Sequence, residues 1–153
     1  MTVTVRNIKK KKKFHPADCK NLPEPEEIVK GSLIIFDDIL TETQEKIANF
    51  FLRGRHRDIS CFYLSQAYTK IPKKSGIREN FNYLILFRQD LVNLRQIYTE
   101  YVTDFSFEKF RQMCAICWKE QHGFLVIYFE NKKCKYNNQF NCNNKSLQKL
   151  IKN

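Results

Sequence analysis

Four short apolar runs constrain this chain more than any other feature: residues 33–36 (LIIF), 59–64 (ISCFYL), 83–87 (YLILF) and 124–129 (FLVIYF). Each has the length of a strand and none alternates cleanly, which is the pattern of strands covered on both faces, as in parallel sheets. Helical signals lie between them. Thr41 and Gln44 form a capping box ahead of Ile47, Phe50 and Phe51, and Gly54 offers a stop. Leu91, Leu94, Ile97 and Tyr98 recur at helical spacing over residues 90–101, and Phe107, Phe110, Cys114, Cys117 and Trp118 do so in the next segment. Strands alternating with helices predict an α/β architecture with a mostly parallel sheet and flanking helices.

Charge separates the ends from the middle. The net charge of +11 comes from residues 1–20 and 131–153, each with an excess of six basic residues, whereas residues 21–130 are near neutral. Three parts are expected: a basic lead-in over 1–30, an α/β core over 31–130, and a Lys/Asn-rich flexible tail over 131–153 with a short helix near residues 147–151. With 153 residues, one folded domain is expected. No apolar run approaches the ~18 residues needed to cross a bilayer, and the lysines at the start precede no apolar stretch, so an intracellular, non-secreted protein is expected. Six cysteines in such a chain read as reduced thiols.

The first strand ends in Asp37-Asp38, which places two acids at the carboxyl edge of the sheet, where open α/β folds bind their ligands. In phosphate-handling enzymes the first such Asp holds Mg²⁺ and a neighbouring acid polarises the attacking water. The same residues could simply end a strand and cap the following helix. The second strand ends in Ser65-Gln66, whose amide can hold water or sense a γ-phosphate as donor and acceptor together.

The order LIIFDD, GRHRDIS, FYLSQ, a basic loop, then NYLILFR resembles the genome-packaging ATPases of large DNA viruses and their virophage and Maverick-like relatives, members of the FtsK/HerA group of P-loop motors. The similarity runs over residues 31–129. It implies a partial RecA-like P-loop NTPase fold, with ATP and Mg²⁺ as cofactors and double-stranded DNA as the translocated partner. It also implies a homo-oligomeric ring and action at the virion assembly site in the host cytoplasm or nucleus. By this resemblance Asp37 and Asp38 match the Walker B pair, Asp37 on Mg²⁺ through water and Asp38 as base for the hydrolytic water. Gln66 matches the sensor. Arg55 matches the arginine presented in trans to a neighbouring subunit, worth about 10³-fold or more in other NTPases. Arg53 and Arg57 read instead as cations at a helix end.

One motif of that group has no counterpart here. A P-loop requires G-x-x-x-x-G-K-[ST], and none of Gly31, Gly54, Gly76 and Gly123 begins one. The chain therefore looks like the carboxyl-terminal half of a motor, lacking the Walker A strand that the family inserts between the sensor strand and a later one. Without a separate Walker A-containing chain it is not expected to hydrolyse ATP. The competing reading is a catalytically inactive nucleic-acid-binding remnant whose basic ends do the work.

Weaker signals complete the sequence. Lys70, Lys73, Lys74 and Arg78, interleaved with Tyr68 and Ile71, could touch DNA phosphates or serve as ordinary solvated residues. Residues 9–13, five lysines, match a nonspecific nucleic-acid or nuclear-localisation patch. Cys114 and Cys117, with His122, Cys134 and Cys142, have zinc-ligand residue types, but the first two continue an apolar helical stripe, so buried structural thiols are expected.

Overall fold

The computed structural model describes residues 2–6, 11–14, 22–39, 44–73, 75–130 and 133–137. The chain divides into two compact units, Met1–Asn80 and Phe81–Asn153, where the sequence predicted one domain. The fold is mixed α/β. In the first unit four strands pair in the order β2-β1-β3-β4: β1 (Thr2–Arg6), β2 (Lys11–Phe14), β3 (Leu33–Asp37) and β4 (Ser60–Leu64). β3 runs parallel to β4, in register from Leu33 opposite Ser60 to Asp37 opposite Leu64. β1 is antiparallel to both β2 and β3.

The helix α1 (Gln44–Arg53), followed by a 3-10 turn at Gly54–Arg57, returns the chain from the end of β3 to the start of β4, and such a crossover makes the two strands parallel. Its apolar stripe of Ile47, Ala48 and Phe50 covers the face carrying Ile34 and Phe36, both fully buried. The Phe36 ring lies 5.7 Å from Phe50 and 6.0 Å from Phe51, and Phe51 reaches Tyr63 at 6.4 Å. The opposite face differs from the expected double coverage: Phe62 and Leu64 remain 45% and 46% exposed. The burial of β3 and β4 thus alternates, because α1 supplies apolar cover to one side.

The second unit contains β5 (Tyr83–Leu86), α2 (Leu91–Tyr101), α3 (Phe107–Cys117), β6 (Leu125–Glu130) and β7 (Lys133–Asn137), in a sheet of order β5-β6-β7. Here the expectation of a mostly parallel sheet is corrected. β5 and β6 are antiparallel, since two helices in succession bring the chain back to the end of the sheet that it left. Asp90 caps α2, accepting from the Asn93 N–H at 2.7 Å, and Ser106 caps α3. Leu94, Ile97, Phe110, Met113, Cys114, Leu125 and Ile127 form the core of this unit. Trp118 Nε1 donates to the Leu86 carbonyl at 2.9 Å, tying the end of α3 to β5.

Strands β1 and β2 fall inside the segment read as a lead-in, and β7 falls inside the segment read as a tail. The sequence reading missed β1; the signal that could have found it is the alternation of Thr and Val over residues 2–5, beside a conspicuous lysine run. The Thr41 capping box and the short helix near residues 147–151 lie outside the described residues.

Candidate functional site

The site is built at the carboxyl tips of β3 and β4. Asp37 is the last residue of β3 and is exposed; Asp38 follows it, half-buried. The open face of the sheet leaves Asp37 in solvent. The two carboxylates also differ in backbone. Asp37 keeps the extended register, whereas Asp38 has φ +54°, in the left-handed region that aspartate tolerates better than most residues. Its N–H donates to the Leu64 carbonyl at 3.0 Å, closing the tip of β3 onto β4.

That turn brings Asp38 to Gln66. Gln66 follows β4 in a tight bend fixed by Ser65, whose Oγ donates to the Ala67 carbonyl at 2.9 Å and accepts the Ala67 N–H at 3.3 Å. Gln66 Nε2 then lies 3.4 Å from Asp38 Oδ2, as a donor to the carboxylate. Behind the pair sits Tyr63, whose hydroxyl donates to the Ile39 carbonyl at 3.0 Å, with Gln44 Oε1 at 3.3 Å. Burial raises the Tyr63 phenol above its ordinary range, the Gln44 hydrogen bond opposes that shift, and the charge of Asp38 adds to it. The phenol thus stays a donor at neutral pH.

Asp37, Asp38 and Gln66 present oxygen donors only, a set suited to a hard cation such as Mg²⁺, which binds through one or two carboxylates while keeping waters and phosphate oxygens. Among the described residues no group of three or more His, Cys, Asp or Glu is placed to hold a metal by itself. Cys114 and Cys117 are buried, and burial pushes the Cys117 thiol up to about 11 and that of Cys114 higher still. Cys61 on β4 is likewise pushed up to about 12 by burial. The side chains of Cys134 and Cys142 lie outside the described residues.

The three arginines at the end of α1 and just beyond it have separate fates. Arg53 pairs with Glu24 at 2.8 Å and with Glu26 at 3.2 Å, and Arg57 donates to the Glu26 carbonyl at 3.0 Å. Both strap the 24–28 segment to the helix end. Arg55 is exposed and donates to Asn80 Oδ1 at 3.1 Å. It precedes β4, whereas Asp38 and Gln66 follow β3 and β4. Four residue steps of strand, about 13 Å at the usual rise, separate the ends of this sheet, so Arg55 is not brought to the acids of its own chain.

The basic loop is only partly the surface expected. Arg78 is 4% exposed, so its reading as a DNA contact is corrected. Its guanidinium sits 4.3 Å from the Tyr68 ring centre and donates to the carbonyls of Tyr68, Thr69 and Ile71, because a loop turning this sharply needs a multidentate donor for its carbonyls. Lys70 and Lys73 are exposed on that support, and Lys74 lies outside the described residues. Asn80, which accepts from Arg55, and Tyr63, which bonds the carbonyl of the residue after Asp38, were not singled out by the sequence, and Gln44 was read only as a cap. No local motif marks a residue that acts through a neighbour's backbone.

The site is thus a parallel strand pair with acids at one tip and a glutamine at the next. Among known families, the one described as Poxvirus A32 protein matches residues 6–153. The chain belongs to this family, whose members are viral genome-packaging ATPases of FtsK/HerA type. It matches none of the curated proteins and none of the solved structures.

Proposed function

We propose that the chain is the Walker B, sensor and arginine portion of an ATP-driven DNA translocase that packages a viral genome. The observation that carries this reading is the juxtaposition of Asp38 and Gln66 across adjacent parallel strand tips, 3.4 Å apart. Asp37 would hold Mg²⁺ through water, Asp38 would accept the proton of the attacking water, and Gln66 would orient that water or report on the γ-phosphate. Bound ATP and Mg²⁺ would supply the transferable phosphoryl group and neutralise its charge. Arg55, held away from its own acids, suits a nucleotide on a neighbouring subunit, which makes a ring the expected assembly. Lys70 and Lys73 would meet DNA phosphates.

The P-loop would come from a segment outside these 153 residues. In the sheet of the first unit β4 keeps one edge unpaired among the described residues, and its uncovered face exposes Phe62 and Leu64, features that support the placing of a further strand beside it. The partial RecA-like core over 31–130 and the basic segments on either side of it are part of the same proposal.

The test is turnover by the chain combined with a P-loop-bearing partner segment. Asp38→Asn should abolish ATP hydrolysis and leave nucleotide binding intact; unchanged hydrolysis would remove Asp38 from its role. The competing reading, an inactive nucleic-acid-binding remnant, rests on the concentration of the +11 charge in the two ends. It predicts that neutralising the lysines of residues 9–13 and 131–153 removes all DNA binding, whereas the motor reading predicts residual binding through Lys70 and Lys73.

A further inference from the structure

Asp38 occupies a left-handed backbone conformation that non-glycine residues adopt uncommonly, and such a conformation persists where the surroundings hold it. The surroundings here are specific. The Asp38 N–H is fixed by the Leu64 carbonyl. The next residue, Ile39, is 2% exposed, and its carbonyl receives two side-chain donors: Gln44 Nε2 at 2.6 Å, from the first residue of α1, and Tyr63 Oη at 3.0 Å, from β4. The turn is gripped on both sides of the Cα that bears the carboxylate.

We propose that Tyr63 and Gln44 are positioning residues that lock the left-handed turn at Asp38 through the Ile39 carbonyl, and so aim its carboxylate at Gln66. Neither touches the carboxylate by a hydrogen bond; they hold the carbonyl of the next residue, Ile39. Without the clamp the chain after β3 is free to continue the strand's pleat. Asp38 would then stand on the opposite face of the sheet from Asp37, as successive strand residues do, and the contact with Gln66 would be lost. The two adjacent acids would no longer be distinguished by backbone, and their separate roles depend on that distinction. This inference rests on the proposed role of Asp38 for its functional meaning, though not for its geometry.

Tyr63→Phe is the natural variant, since it removes only the hydroxyl and keeps the ring that packs on Phe51. Gln44→Met is the second, removing the other donor at similar length. On the full chain, the three-bond amide–Hα coupling of Asp38 reports its φ, and the contact between the Gln66 side-chain amide and Asp38 is visible as a nuclear Overhauser effect. Both variants should change that coupling, remove that contact and speed exchange of the Asp38 amide by roughly tenfold, the scale of one lost hydrogen bond. Coupling and exchange at Phe36 and Ile34, one and two turns of pleat earlier on the same strand, should be unaltered. An Asp38 coupling and Gln66 contact that survive both substitutions would overturn the proposal, as would changes spread equally over β3. No nucleotide enters this experiment, so its failure is distinct from failure of the Asp38→Asn turnover test. Where turnover is restored by a P-loop segment, Tyr63→Phe should lower kcat by ten- to a hundredfold, the range for a displaced reacting group, at unchanged ATP affinity.

Discussion

Arg55 and Arg78 look alike in the sequence, both being arginines in basic segments outside the strands, and the structure separates them completely. Burial of Arg78 under Tyr68, with three carbonyls on its guanidinium, makes it a fold residue. Arg78→Leu should cost about 3 kcal/mol of unfolding free energy, the scale for carbonyls left without their charged donor, measured by urea denaturation. Lys70→Glu with Lys73→Glu should instead leave stability within about 0.5 kcal/mol and weaken duplex DNA binding with a shallower salt dependence. Gly123 is a second residue whose role is steric. A Cβ there would collide with the carbonyl oxygen of Cys117. Gly123→Ala should therefore destabilise the turn between α3 and β6, seen as a lower Tm and a shift of the Trp118 fluorescence.

At the scale of elements, the pH response of α2 follows from its cap. Asp90 is held below the ordinary aspartate range, chiefly by the N–H of Asn93 and further by that residue's side chain. A carboxyl depressed in the folded state contributes stability at pH values above its unfolded pKa, and that contribution fades as pH falls through the folded value. The stabilisation should thus be complete at neutral pH and decline below about pH 4. Asp90→Asn, which caps nearly as well without titrating, should flatten that decline in a pH series of thermal melts.

The elements themselves were largely legible. The apolar runs at 33–36, 59–64, 83–87 and 124–129 all became strands, and the stripes of Leu94–Ile97 spacing and of Phe110–Cys114 spacing became α2 and α3. What periodicity could not give was direction. Parallel pairing of β3 and β4 and antiparallel pairing of β5 and β6 depend on whether one helix or two intervene, and on how each packs. The tip acids and Gln66 were legible as residue types at strand ends. The Ile39 clamp was not, since it joins a side chain of β4, a side chain of α1 and a backbone carbonyl distant from one of them in sequence.

At the scale of the whole molecule, the purified 153-residue chain should show no Asp38-dependent ATP hydrolysis if its nucleotide site needs a G-x-x-x-x-G-K-[ST] loop, a pattern that no stretch of the sequence spells. A steady-state phosphate-release assay comparing the chain with its Asp38→Asn variant checks this, and a difference between the two would refute it. The structure also restricts how the basic ends can be studied. β1 pairs with β3 from Thr2 opposite Asp37 to Arg6 opposite Leu33, so deleting the first 20 residues strips a partner from the strand that carries the site. Charge-neutralising substitutions separate electrostatics from folding where truncation would confuse them.

The exposed side of β4 has a consequence for handling the protein. An edge strand that is unpaired among the described residues and exposes Phe62 and Leu64 is a template for any extended chain, including another copy of itself. Concentrated solutions should drift toward sedimenting aggregates that scatter light and bind amyloid dyes. Lysine in place of Phe62 and Leu64 should slow that drift, while a strand-forming peptide that docks there should act as a solubiliser.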